Sequence, residues 1–457
     1  MTQVGGNLIM KTAFSKMVVA PPGPKAQEII QKEKNYIPRS ACSSTPLVWK
    51  EAYGATIIDV DGNEYIDFTS GILVSNVGHS HPKVVAAIQE QAGKFLNSYD
   101  SSHHLRAELA EKIVNLFPEE LNRVLLLTTG SEAIEAAIKF ARAKTGKSEI
   151  ISFHGSFHGR THLTMSLGGI KKVKSGCGPQ ASNILHVPFP YPYRCTFSQP
   201  HDQCDEHTLQ YMEQILHTAS TGNIAAVIME SYLGSGGCVV PSVKFVQGVR
   251  EFCDRHDILL IMDEVQAGFG RTGKMFGFEH YGILPDLVCL AKGISSGVPT
   301  SAVVGRDSIM DHLPPGTMTS TYGGNPLSCA AAMATIDVIV EERLPERAAR
   351  LGERMAQRFQ TLVEKYRIIG EARSIGLVSG IEVVKSREGR EPDPETARAI
   401  AMQAIHLGLA VIAPTGLHGN VLRLMPPLVI EEEALEAGLD LLDEAISIVL
   451  NGGLHDH

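Results

Sequence analysis

A recurring strand end between residues 120 and 305 constrains this chain most. Short apolar runs there stop at polar or glycine residues, and helical periodicity usually follows. Residues 124–127 lead into Thr128-Thr129-Gly130-Ser131 and a helical pattern to about Ala143. Residues 150–153 lead into His154-Gly155-Ser156-Phe157-His158-Gly159-Arg160. Runs at 224–229, 258–262 and 287–291 end in Glu230, Asp263-Glu264 and Lys292. Apolar strands separated by helices predict an α/β fold, a large domain with a mostly parallel sheet covered by helices. Ligands of such sheets sit beyond the carboxyl ends of the strands, where these polar residues stand.

The flanking sequence predicts a smaller α/β domain. Residues 331–365 read as helical, and beyond them helices alternate with short strands at 380–384 and 421–424. Residues 55–68 read as a hairpin turning at Asp61-Gly62. The expected division is an N-terminal arm and segment packing with the small domain (1–75), a large domain (76–330) and a small C-terminal domain (331–457).

Composition removes several classes. The net charge is −9 and no long basic block occurs, so neither nucleic acid nor an anionic membrane is an expected partner. Eight cysteines form no C-x-x-C pair and several lie in apolar runs, which reads as buried thiols of a reducing compartment. With no long apolar stretch, neither a transmembrane helix nor a signal peptide is expected, and the expected compartment is the cytoplasm.

Several motifs admit competing readings. Residues 268–273 spell G-x-G-x-x-G, but no long helical pattern follows, and Met275 stands where a Walker A loop needs Ser or Thr. Residues 293–297 (Gly-Ile-Ser-Ser-Gly) match a hydrolase elbow after a strand, with Asp311 and His418 in the right order behind Ser295. Against that, Lys292 immediately precedes the motif, where a hydrolase needs no cation. His154, His158 and His162 would share one face of a helix, yet Gly155 and Gly159 argue for a loop. Cys195, His201, Cys204 and His207 cluster with no standard metal spacing. We read both groups as non-metal.

One constellation is more specific. Gly130-Ser131 opens a helix, whose free N–H groups suit a phosphate. Asp263 and Lys292 end two strands. Pyridoxal 5′-phosphate needs all three features: a helix N-terminus for its phosphate, a lysine for its aldehyde and a carboxylate for its pyridinium nitrogen. Phe157 can cover one face of the ring.

With these residues the chain resembles the class III (ω-amino) pyridoxal-phosphate aminotransferases, of the 4-aminobutyrate aminotransferase-like pattern. The resemblance runs from about residue 45 to 445 and includes Gly78-His-Ser-His-Pro82, Thr128-Thr-Gly-Ser-Glu-Ala133 and Phe157-His-Gly-Arg-Thr161. It continues through Asp263-Glu-Val-Gln266, Gly270-Arg-Thr-Gly273, Thr321-Tyr-Gly-Gly-Asn-Pro326 and Asn420-Val-Leu-Arg423. The resemblance implies a fold-type I homodimer, possibly a dimer of dimers, with its active site at the subunit interface. Lys292 should hold the cofactor and move the substrate proton. Asp263 should pair with the ring nitrogen, Phe157 and Val265 should enclose the ring, and Gln266 should reach its oxygen. Gly130 and Ser131 should hold the phosphate, joined by Thr321 of the partner subunit. His158 and Glu230 should lie near the ring.

Substrate choice should rest on Ile72, Arg160, Ser235 and Arg423. Arg160 matches the arginine that binds a distal carboxylate, and Arg423 the one that binds the α-carboxylate. The loop 234–237 (Gly-Ser-Gly-Gly) carries Ser235 where 4-aminobutyrate and ornithine enzymes carry a glutamate that neutralises the α-carboxylate arginine. The implied activity is transfer of an amino group from an ω-amino acid, or another amino acid, to 2-oxoglutarate or pyruvate. Ser235 keeps two alternatives open on the same scaffold: an amino-acid racemase or epimerase, and a dialkylglycine-decarboxylase-like enzyme.

Overall fold

A computed structural model describes residues 13–452 apart from 43, 44, 100, 199, 201 and 202, and the backbone of residues 2–4 and 7–11. The chain divides into two compact units, Pro82–Glu346 and the combination of Met1–His81 with Arg347–His457. The divisions fall at 81/82 and 346/347, against 75/76 and 330/331 in the sequence reading. The second shift has a packing cause. Helix Pro326–Glu341, capped by Asn325, lies on helices Pro82–Ala92 and His104–Val114, burying Cys329, Ala331 and Ala332 completely.

The larger unit is built on a seven-stranded sheet: β1 (Arg123–Leu127), β2 (Glu149–Phe153), β3 (Ile184–Val187), β4 (Ile224–Glu230), β5 (Leu259–Asp263), β6 (Leu287–Leu290) and β7 (Ser301–Gly305). Their order is β1-β7-β6-β5-β4-β2-β3. β3, β2, β4, β5 and β6 pair in parallel, and β7 runs antiparallel to both β6 and β1. All seven residues of β4 are buried, as a strand covered on both faces requires.

Helix Gly130–Thr145 packs across the sheet through Ile134, Ile138 and Phe140. Each such side chain contributes roughly 1.5–3 kcal/mol by leaving water. Its ends are written in the sequence. Thr129 and Glu132 form a reciprocal capping box, and Gly146 closes the helix in the left-handed region at φ 67°.

The smaller unit holds an antiparallel sheet of Ile369–Ile375, Val378–Val383 and Val421–Leu424. The hairpin of Thr56–Asp59 and Glu64–Asp67 turns as read, with Gly62 at φ 92° and Asp59 accepting the N–H groups of Asp61 and Asn63 at 2.9 Å each. Strand Glu64–Asp67 also pairs in parallel with Leu409–Ala410, joining the two chain segments of this unit. Helices Leu344–Lys365 and Glu432–Leu450 are linked by a row of ion pairs, among them Arg350–Glu432 at 2.7 Å and Lys365–Asp443 at 2.7 Å. Among the described residues no helix is long and apolar enough to cross a membrane.

Candidate active site

Strand register assembles the centre of the site. Glu230 pairs with Asp263, and Asp263 with Cys289, so the ends of β4 and β5 stand abreast and Lys292 follows three residues after Cys289. From the loop after β2, His158 donates from Nδ1 to Asp263 Oδ2 at 2.7 Å. Both side chains are buried, and His158 Nε2 has no partner among the described residues. The other oxygen of Asp263 accepts the Val265 N–H at 3.0 Å. One carboxylate oxygen is thus held by an imidazole and the other by the backbone, which fixes its orientation.

Glu230 ties two loops together. It accepts the Phe157 N–H at 2.9 Å and the Gly234 N–H at 3.0 Å. Burial pushes its carboxyl up to about 7, and the neighbouring Asp263 adds to the rise, while His158 and the two N–H donors oppose it. The next carboxylate along β5, Glu264, is also buried and pushed up to about 7 by desolvation. It accepts the Gly277 and Phe278 N–H groups at 2.7 and 2.8 Å and the Ser231 hydroxyl, bracing the loop that follows.

Glycines let these loops approach each other. A Cβ on Gly159 would stand 2.2 Å from Ser131 Oγ, and one on Gly130 would stand 3.1 Å from Val265 Cγ1. The loop after β2 therefore lies on the first turn of helix Gly130–Thr145, where Ser131 Oγ accepts the Arg160 N–H at 3.3 Å. A Cβ on Gly234 would meet Gln266 Oε1 at 2.2 Å, and one on Gly236 would meet the Gly155 carbonyl at 2.5 Å. Half-buried Ser235 sits between them. The Arg160 guanidinium lies over the Phe157 ring, 5.5 Å from its centroid.

Lys292 begins a short turn, Lys292–Ile294, in the left-handed region at φ 48°. A side-chain-bearing residue there costs about 1–3 kcal/mol, and such strain gathers at functional positions. These residues fit pyridoxal 5′-phosphate. They supply a free helix N-terminus with a hydroxyl, an oriented buried carboxylate, a strand-end amine, and aromatic and aliphatic side chains for the two ring faces.

Of the expected residues, Gly130, Ser131, Phe157, His158, Arg160, Glu230, Ser235, Asp263, Val265, Gln266 and Lys292 lie on the loops and strand ends at this edge of the sheet. Thr321 lies apart on an exposed loop of the same unit. Ile72 and Arg423 belong to the smaller unit. Ile72 is 42% exposed and sits at φ 66° in a turn whose four residues, 70–73, all have positive φ. For a β-branched residue that is a true outlier. Asp67 anchors the turn, accepting the Thr69 N–H at 2.6 Å and pairing with His79 Nε2 at 2.7 Å. Sequence reasoning missed this strained turn and the bracing by Glu264. The only signal for the turn was His79 within the motif 78–82.

The competing motifs are accounted for differently. Ser295 is buried and donates its hydroxyl to the Val298 carbonyl, and Asp311 is ion-paired with Arg123 at 2.9 Å on the surface. Residues 268–273 form turns followed only by the short turn Gly277–Tyr281. His158 is committed to Asp263, His154 lies in a turn 6.2 Å between ring centroids from His186, and His162 opens helix His162–Leu167. His201 lies outside the described residues.

Comparison with known proteins agrees with this geometry. The profile of the family Aminotransferase class-III matches residues 38–446. The chain is 36% identical over 421 residues to a probable 4-aminobutyrate aminotransferase of Bacillus subtilis, covering 91% of this chain and 96% of that one. It is 37% identical over 450 residues to an alanine/serine racemase of Pyrococcus horikoshii, covering 96% and 94%. Among solved structures, an amine transaminase from an uncultivated Pseudomonas species, in its PLP-bound form, superposes with a TM-score of 0.84 at 31% identity, covering 90% and 96%. With the profile spanning nearly the whole chain, the protein belongs to the class III aminotransferases, a pyridoxal-phosphate-dependent family.

Proposed function

We propose that the enzyme transfers an amino group from an ω-amino acid, or an amino acid with a distal carboxylate, to 2-oxoglutarate or pyruvate. The observation that carries this reading is the alignment of Asp263, held by His158 at 2.7 Å, beside the strand that leads to Lys292. Bound pyridoxal 5′-phosphate supplies an aldehyde for the substrate amine and a ring that withdraws electrons from the α-carbon. Asp263 holds a proton at the ring nitrogen, with His158 and the Val265 N–H fixing its two oxygens. The Lys292 amine anchors the cofactor and then carries the proton to and from the substrate α-carbon. Gly130 and Ser131 bind the phosphate through the helix N-terminus. Phe157 and Val265 hold the ring from either side, and Gln266 donates to its oxygen.

Arg160 binds the distal carboxylate, Arg423 the α-carboxylate, and Ile72 limits the donor side. Thr321 of a partner subunit completes the phosphate site in a homodimer. Support for that dimer comes from Phe95, Leu96, Tyr99 and Tyr322, large side chains left 39–66% exposed on the unit that carries Thr321. We assign the enzyme to the cytoplasm, in keeping with eight free cysteines.

Stopped-flow mixing of the loaded enzyme with each amino donor, in the absence of acceptor, tests the reading. A useful donor bleaches the cofactor colour and a 2-oxo acid restores it. No bleaching by any donor refutes transamination. A second reading, racemisation, is favoured by Ser235 and by the racemase relative. It predicts solvent deuterium at the α-carbon with inverted configuration and no lasting loss of colour.

A further inference from the structure

The antiparallel sheet of the smaller unit sets three residues in one row. Arg373 lies opposite Gly380, and Gly380 lies opposite Arg423. Directly opposed residues share a face, so two arginines flank a residue without a side chain. One row further on the same face, Glu382 stands opposite Glu371 on one side and Val421 on the other. Glu382 is 1% exposed, and its diagonal neighbour is the buried Arg423. Diagonal positions are within reach of a long side chain. Arg373 donates to Glu382 Oε2 at 3.0 Å and also pairs with Glu371, while the Asn420 amide reaches Glu382 Oε1 at 3.4 Å.

A carboxylate this deeply buried takes whichever cation it can reach, because an unpaired buried charge is costly. A guanidinium drawn onto Glu382 has less charge to offer another anion. We infer that Arg373 is a positioning residue for substrate selection: by neutralising Glu382 it leaves the Arg423 guanidinium directed at an incoming α-carboxylate. This inference rests on the assignment of Arg423 proposed above. It makes Arg373 and Glu382 opposing influences on one binding constant, although the reacting atoms need touch neither.

The test uses the loaded enzyme and compares L-glutamate and L-alanine with n-butylamine, which lacks the carboxylate. Arg373→Gln should raise KM for the amino acids roughly tenfold to a hundredfold, the range of one charge-assisted hydrogen bond, with kcat little changed and n-butylamine unaffected. Glu382→Gln alone should lower the amino-acid KM, and this variant decides the matter if Arg373→Gln does not fold. The double variant should return KM to within about threefold of the parent, a rescue that follows from removing the competing anion. A double variant at least as impaired as Arg373→Gln, or a raised KM in Glu382→Gln, overturns the inference. Arg423→Lys separates the two levels. If it leaves the amino-acid KM unchanged, or if neither amino acid bleaches the cofactor, the underlying assignment fails instead. If it raises that KM while Arg373→Gln does not, only the role of Arg373 fails.

Discussion

Replacing His158 with alanine removes the 2.7 Å bond to Asp263 and leaves that buried carboxylate with only the Val265 N–H. Glu230 stands on the adjacent strand, directly opposite Asp263. Neighbouring strands run about 4.8 Å apart. Two full charges at that spacing repel by about 3 kcal/mol at an effective dielectric of 20. The imidazole offsets part of that repulsion and adds a hydrogen bond to a charged group, on the order of 1.5–3 kcal/mol. Losing it should leave Asp263 less ionised and less well aimed at a ring nitrogen. The expected result is a rise of about tenfold to a hundredfold in the dissociation constant of pyridoxal 5′-phosphate, read by absorbance titration of cofactor-free protein. His158→Asn, whose amide can donate from nearly the same place, should recover most of the loss. A variant with alanine at 158 that binds the cofactor within twofold of the parent would refute the reasoning.

Glu230 and Glu264, both raised to about 7 from 4.5, make stability pH-dependent. The folded chain keeps protons that the unfolded chain has released, so this stabilisation is full below pH 4.5 and is lost as pH rises through about 7. Cofactor-free protein should melt at a lower temperature at pH 8 than at pH 6, by on the order of 1 kcal/mol per carboxyl. Calorimetry of Glu264→Gln should show a shallower slope, and an unchanged slope counts against the account. Gly159→Ala places a Cβ against Ser131 Oγ at a residue with φ +140°; equilibrium titration should show cofactor affinity falling at least about tenfold through lost positioning of the phosphate loop. Ile72→Gly relieves a left-handed isoleucine and should raise stability by about 1 kcal/mol while raising KM for the donor. A lower melting temperature would contradict the strain assigned to that turn.

How far the sequence was legible depended on the range of the interaction. The carboxyl ends of β1, β2, β4, β5 and β6 carry the residues expected there, because a buried parallel strand announces itself by apolar composition and stops where polar residues begin. The helix at Gly130 was equally legible, since its capping box lies within four residues. The boundary at 330 was not. Helix Pro326–Glu341 is apolar nearly all round, and only contact with distant helices decides which unit it joins. The bond from His158 to Asp263 spans 105 positions and the one from Phe157 to Glu230 spans 73. Proximity in the sequence could name these residues but could not pair them. The left-handed turn at Ile72 was invisible for another reason. Isoleucine at positive φ contradicts its own propensity, and the anchors that hold it, Asp67 and His79, bind through side-chain geometry.

The central claim is that Lys292 is the residue joined to the cofactor. Borohydride reduction of the loaded enzyme, followed by peptide mapping by mass spectrometry, tests it directly. The account predicts a single pyridoxyl-phosphate adduct, on the peptide that contains Lys292. An adduct on a different lysine, or none in a protein that retains its colour and turnover, would contradict it.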